Sequence, residues 1–297
     1  MSPISALPLP PARLGESPLW HPVEQALYWC DIPGHQLHRY RPETGEHRQW
    51  DLPSEPACCV PLAGGGVLLA MRDGIWCFDP DRGQRSLVAA PPYDPAGERF
   101  NDGKADAQGR FWVGTIDDLR EPRAALYCLS GGRVQRMADG ITASNGLAFS
   151  PDGATMYWAD TKAHAVYAFD LDGRDGSLSQ RRVFQQFALR ADGQSLASYG
   201  GRPDGATVDA EGAYWVAMFE GQRLLRFSPG GELLAELPLP VRCPTMPCFG
   251  GADLKTLFIT TARAHRPEQE LAQQPLAGCV LQLRVAVPGL PAHLARM

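Results

Sequence analysis

The sequence predicts an all-β chain folded as one six-bladed β-propeller over residues 1–297. Three observations carry this reading. The same strand–turn–strand unit returns six times along the chain. Glycine (31) and proline (27) are abundant among the 297 residues and punctuate short apolar runs. The periodicity of long amphipathic helices is nearly absent.

The first unit runs from Glu16-Ser17-Pro18-Leu19-Trp20 through Ala26-Leu27-Tyr28-Trp29-Cys30-Asp31 to Gln36-Leu37-His38-Arg39-Tyr40. A weaker unit begins at Ala57 and continues through Gly66-Val67-Leu68-Leu69-Ala70 and Gly74-Ile75-Trp76-Cys77-Phe78. The third begins at Asn101, with Phe111-Trp112-Val113-Gly114 and Ala125-Leu126-Tyr127-Cys128-Leu129. The fourth begins at Asn145, with Met156-Tyr157-Trp158-Ala159-Asp160 and Ala165-Val166-Tyr167-Ala168-Phe169. The fifth begins at Asp204, with Tyr214-Trp215-Val216-Ala217 and Leu224-Leu225-Arg226-Phe227. The sixth begins near Cys248, with Thr256-Leu257-Phe258-Ile259-Thr260-Thr261 and Cys279-Val280-Leu281-Gln282-Leu283. Successive starts lie 41, 44, 44, 59 and 44 residues apart, a spacing that suits propeller blades. The long interval predicts an insertion over Asp172–Gly200, and Leu7–Leu14 is expected to supply the strand that closes the last blade. Turns such as Ser150-Pro151-Asp152-Gly153 and Asp209-Ala210-Glu211-Gly212 join the strands, proline setting φ and glycine accepting positive φ. A pair of β-sandwiches does not explain the regular return of one unit.

Charge and composition exclude several function classes. The net charge of −5 and the absence of a basic block argue against a nucleic-acid partner. No apolar run approaches the roughly 18 residues a membrane span needs, and Met1–Pro11 lacks the pattern of a secretory signal. The eight cysteines form no C-x-x-C pair and mostly lie in apolar strands, which suits buried thiols in a reducing cytoplasm. A monomer is the favoured state, since a closed propeller leaves few sheet edges.

In a propeller the inner strands start around one axis, so residues at matching repeat positions meet at the channel mouth. Glu16, Asn101, Asn145 and Asp204 stand at such positions, each expected on a loop ahead of a strand pair. Hard oxygen donors of this kind suit one divalent metal ion, with calcium first and magnesium, manganese, zinc or iron as alternatives. Few protein ligands leave coordination positions open for water and substrate. Asp160 and Thr161, ending a blade-four strand, are placed near the same mouth, and His265, also near it, is expected at the surface with the pocket lining as the alternative. The His35-x-x-His38 pair is expected at a solvated turn. Met218, Phe219, Met246 and Phe249 read as core, with pocket walls as the alternative. No G-x-S-x-G elbow occurs, so a serine hydrolase is not supported.

Five segments together resemble the SMP-30/gluconolactonase/regucalcin family, in order and over nearly the whole chain. They are Gly15-Glu16-Ser17-Pro18 followed by Trp20, Arg99-Phe100-Asn101-Asp102-Gly103-Lys104, Ser144-Asn145-Gly146-Leu147, Pro203-Asp204-Gly205 and Cys248-Phe249-Gly250-Gly251. The resemblance implies a six-bladed propeller and a metal-dependent lactonase acting on a small-molecule sugar lactone. It implies a divalent ion held by Glu16, Asn145 and Asp204, and Arg99 and Asn101 as contacts to substrate and its water. The family often carries an acid on the loop after the third blade's inner strands. Here its place falls on Leu119, so Asp117 or Asp118 is the expected substitute. The implied chemistry is polarisation of the lactone carbonyl, with Asp204 taking a proton from the attacking water and Arg99 orienting sugar hydroxyls or the forming carboxylate. Two other readings stand beside it: a phosphotriesterase-like hydrolase on the same site, and a non-catalytic calcium-binding propeller.

Overall fold

The computed structural model describes residues 3–297. Six four-stranded antiparallel sheets follow one another along the chain. Their inner strands are Gly15–His21, Pro56–Pro61, Glu98–Ala105, Ser144–Phe149, Arg202–Val208 and Pro244–Gly250. Each inner strand touches the next, and the sixth touches the first, so the sheets close a ring as the blades of a propeller. Alternating apolar residues put side chains on both faces of each sheet. Six apolar clusters accordingly fill the six gaps between neighbouring blades. Between blades three and four, for example, Trp112 and Leu126 pack against Leu147, Trp158 and Phe169. The outermost strands are largely exposed, as Arg133–Ile141 and Leu178–Gln186 show.

Two boundaries differ from expectation. The strand that closes blade six is Ser5–Ala6, paired with Gln282 and Leu281, rather than Leu7–Leu14. Leu7 donates its amide to the Val280 carbonyl (2.9 Å), but the prolines that follow lack the donors a ladder needs. The insertion in blade four is also shorter than Asp172–Gly200. The fourth strand of that blade, Leu178–Gln186, lies within this range, and the added chain is the connection 187–201. Polar residues along Ser179–Arg182 hide the strand from a hydrophobic pattern because its outer edge faces water.

Buried aspartates fasten the hairpins between first and second strands. Asp209 is fully buried and accepts from the Trp215 indole (2.9 Å), the Arg226 Nε (2.8 Å) and the amides of Glu211 and Ala213 (both 3.0 Å). Asp106 does the same in blade three with Trp112 (2.8 Å) and Arg110 (2.5 Å). Removing one partner of such a buried pair leaves the other charge uncompensated. Asp209→Ala is therefore expected to cost about 3–5 kcal/mol, read as a lower denaturant midpoint with an unchanged slope.

His38 is buried, not solvated. It stacks on Trp29 at 4.8 Å between centroids and shares a hydrogen bond with His47 (3.2 Å), because an inward position in the strand Gln36–Arg41 sets it against the indole. His265 is exposed, whereas Met218, Met246 and Phe249 are buried.

Candidate active site

Each inner strand carries one extra residue relative to its partner. The shift falls between Glu16 and Leu19, Phe100 and Gly103, Asn145 and Ala148, and Pro203 and Ala206. These are β-bulges, which re-aim side chains and bend the strand. The four oxygen-bearing residues thus lie on the inner strands at or beside the bulges, not on loops ahead of them. Nor do they share one repeat position. Glu16 and Asn145 stand immediately before the bulge, while Asn101 and Asp204 are the first residues within it. Two adjacent levels of the ring therefore both turn side chains to the axis.

A one-way chain of hydrogen bonds orients the amides. Arg99 Nη1 donates to Asn101 Oδ1 (2.7 Å), and Asn101 Nδ2 donates to Asn145 Oδ1 (2.8 Å) and to the Ser144 carbonyl (2.8 Å). Asn145 Nδ2 donates to Thr161 Oγ1 (2.8 Å), whose hydroxyl donates to the Pro203 carbonyl (2.8 Å). A guanidinium can only donate and a carbonyl can only accept, so the direction of every link is fixed. The chain ties blades three, four and five together and leaves the oxygen of Asn145 with a free lone pair. Gly146 lets Asn145 take this pose: its φ is +58°, and an added Cβ would meet the Tyr214 hydroxyl at 2.5 Å.

Three acids crowd the channel. Burial, then the Asp204 and Asp102 carboxylates, hold Glu16 well above the usual range. Burial pushes Asp204 up to about 8, with Asp102 adding to it against the pull of Arg202 and Arg99. Asp102 rises to about 6 for the same first reason, opposed by Lys104. Asp102 Oδ2 accepts from the Leu147 amide (2.8 Å), but its buried Oδ1 has no partner. The nearby cations offset this cluster only in part. Lys104 donates to the Ala206 carbonyl (2.9 Å), and Arg202 is paired with Glu220 (2.9 Å). Buried negative charge with an orphaned carboxylate oxygen calls for a cation. Among the described residues no three His, Cys, Asp or Glu side chains form a metal cluster by themselves. The donor set that fits a hard divalent ion is mixed: the carboxylates of Glu16 and Asp204 with the free lone pair of Asn145.

Neither substitute acid is free at the mouth. Asp117 is buried and accepts from the Glu121 amide (3.0 Å), while Asp118 is held by Arg72 (3.0 Å). The sequence reading missed Arg72, Asp102, Lys104 and Arg120 around the site. Asp102 and Lys104 lie within a segment already singled out, but Arg72 is tied to the mouth through partners distant in sequence, such as Glu98 and Asp118. At the far end of the channel the C-terminal segment crosses the ring. Gly289 bridges to Asp209 and Ala295 to Leu62, over a cavity of about 100 Å³ lined by Lys104, Met246 and Cys248. Substrate access is left to the end that holds Glu16, Arg99 and Asp204.

Residues 14–263 match the profile described as SMP-30/Gluconolactonase/LRE-like region. The chain belongs to this family. Among the family's relatives, a protein of Pseudomonas putida named 6-deoxy-6-sulfogluconolactonase is 44% identical over 94% of each chain. Pentonolactonase XacC of Haloferax volcanii is 33% identical over 94% of this chain and 93% of its own. The crystal structure of regucalcin from Agrobacterium tumefaciens, titled a calcium-binding protein, superposes with a TM-score of 0.93. It is 28% identical and the match covers 100% of this chain and 98% of that one. The six-bladed propeller read from the repeats is the fold of this family member as well. No helix among the described residues is long and apolar enough to cross a membrane.

Proposed function

We propose that the chain is a divalent-metal-dependent hydrolase that opens sugar lactones to aldonic acids. The observation that carries this is the cluster of buried carboxylates with raised basicity beside a donor-only arginine, in a family whose relatives are named for lactones. Glu16, Asn145 and Asp204 would hold the ion, calcium first among the candidates, and the bound ion would supply Lewis-acid polarisation of the lactone carbonyl.

The chain's own groups account for the remaining chemistry. Asp204 takes a proton from the water that attacks the carbonyl carbon. A buried carboxylate is a stronger base than a solvated one, which suits this task near neutral pH. The ring C–O bond then breaks, and Asp204 returns the proton to the leaving ring oxygen. Lactone and water are thereby consumed and one hydroxy acid is formed. The unused donors of Arg99 face the sugar's own substituents rather than the reacting carbonyl. Asn101 holds Asn145 in place and shapes the channel floor.

The test is acid release from gluconolactone and a pentonolactone with the metal-supplied protein. Turnover well above spontaneous opening supports the reading. Turnover of phosphotriesters in its place, or ion binding without any turnover, would overturn it in favour of the other hydrolase or the binding propeller.

Thr161 acts through Asn145 and is a positioning residue. Thr161→Val keeps the volume but removes the acceptor of Asn145 Nδ2 and the donor to the Pro203 carbonyl, leaving Asn145 held from the Asn101 side alone. It is expected to weaken ion affinity about ten-fold or more, measured by calorimetric titration, and Thr161→Ser is expected to restore most of it.

A further inference from the structure

Two guanidinium groups, Arg99 and Arg120, stand together at the entrance. Arg99 is half-buried and spends only Nη1, on Asn101 Oδ1 (2.7 Å) and the Phe100 carbonyl (2.9 Å). Arg120 follows the strand Phe111–Asp117 and is exposed. Its backbone is left-handed, with φ +61°, and both its amide (3.0 Å) and its Nη1 (2.9 Å) donate to the Asp117 carbonyl. This folds the side chain back over the end of the strand. The register there pairs Arg99 with Ile116 and Glu98 with Asp117, so the two arginines share one wall of blade three. Among the described residues neither is in an ion pair. Arg72 beside them is different, being held by Glu55 (2.8 Å) and Asp118 (3.0 Å). The positive groups also repel one another: burial lowers Arg99 to about 10, with Arg120 and Arg72 adding to the effect, and the Glu16 and Glu55 carboxylates offset it only in part. A chain with net charge −5 has no compositional reason to gather unpaired arginines here.

We propose that Arg120 and the free edge of Arg99 form an anion clamp, so that the preferred lactone carries a second, oxyanionic group remote from its carbonyl. A sulfonate, carboxylate or phosphate shares the required chemistry, because a planar guanidinium presents paired donors to such oxygens. The clamp rests on the lactonase reading above and adds the class of substrate. It makes Arg120 a specificity residue rather than a catalytic one.

The experiment compares kcat/KM for gluconolactone and a 6-sulfonated gluconolactone, using the full chain supplied with its divalent ion, in wild type, Arg120→Gln and Arg120→Lys. Glucarolactone and 6-phosphogluconolactone serve as the carboxylate and phosphate arms. The expected result is a preference of about ten-fold or more for one anionic lactone, expressed in KM and eroded by salt. The preference should collapse in Arg120→Gln and return in part in Arg120→Lys. Equal use of neutral and anionic lactones by wild type, or a preference that survives Arg120→Gln, would overturn the clamp. Calorimetry with the opened 6-sulfonated acid and with gluconate separates this from the parent reading. If no lactone opens, the lactonase reading fails, and an Arg120-dependent preference for the sulfonated acid still supports the clamp. Equal affinity for the two acids overturns it.

Discussion

Asp204→Asn is expected to lower lactone turnover about a thousand-fold while leaving the metal-free fold at least as stable as wild type. The two halves of this result have one cause. Asp204 is a buried acid whose neighbours are other acids, so its charge is unfavourable in the folded chain without an ion. The amide keeps the shape and removes the charge. Activity falls because the base is gone and one anionic oxygen donor becomes neutral. Stability does not fall, since removing a charge placed for function relieves repulsion.

The pH dependence follows from the same shift. An ordinary aspartate loses its proton near 3.8, but Asp204 in the folded chain does so at about 8. Between those values the folded state binds more protons than the unfolded state. Stability of the metal-free protein is therefore fullest below the lower value and falls as pH rises towards the upper one. Asp204→Asn should gain over wild type as pH rises across this window. Urea unfolding of both proteins at pH 5 and pH 8 checks it, and a variant that loses ground as pH rises would contradict the account.

The second large effect is on thermal stability. A divalent ion that binds the folded chain alone stabilises it by about 2.7 kcal/mol at a hundred times its Kd, or about 5 °C in Tm for a chain of this size. The increment should disappear in Glu16→Gln. That variant, like Asp204→Asn, removes a buried charge that Asp204 and Asp102 oppose, so its own ion-free Tm should hold. A Glu16→Gln protein that gains as much from the ion as wild type would place the ion elsewhere.

The fold was legible because the blade unit repeats, and the repeat makes equivalent residues meet at one axis. Each inner strand opens on a recognisable apolar or turn-bounded run, from Gly15–His21 to Pro244–Gly250. What the repeat could not show is the bulge. An extra residue leaves no mark in an apolar pattern, so Asn101 and Asp204 looked equivalent to Glu16 and Asn145 when they stand one level away. The closing strand was misplaced for a related reason. Ser5–Ala6 is only two residues long, while the Leu- and Pro-rich stretch after it looks more like a strand than it can be without amide donors.

At the site, residue types were readable and partnerships were not. Asp118 has the right chemistry for a substrate contact, but Arg72 of the neighbouring blade already holds it. Thr161 was placed near the mouth from its position. Its role as the last link between Asn145 and the Pro203 carbonyl needs two blades to be seen together. Asp102 could have been noticed because it adjoins Asn101. Its orphaned oxygen is a property of the assembled channel alone.

The central claim is that a divalent ion at Glu16, Asn145 and Asp204 supports lactone opening. Its most direct test is acid release from an aldonolactone panel by metal-stripped protein, with calcium, magnesium, manganese, zinc and iron(II) added back singly. The account predicts little turnover without an ion, recovery with at least one of them, and no recovery in Asp204→Asn. Undiminished turnover by fully stripped protein, or recovery by the ion in Asp204→Asn to the wild-type rate, would contradict it.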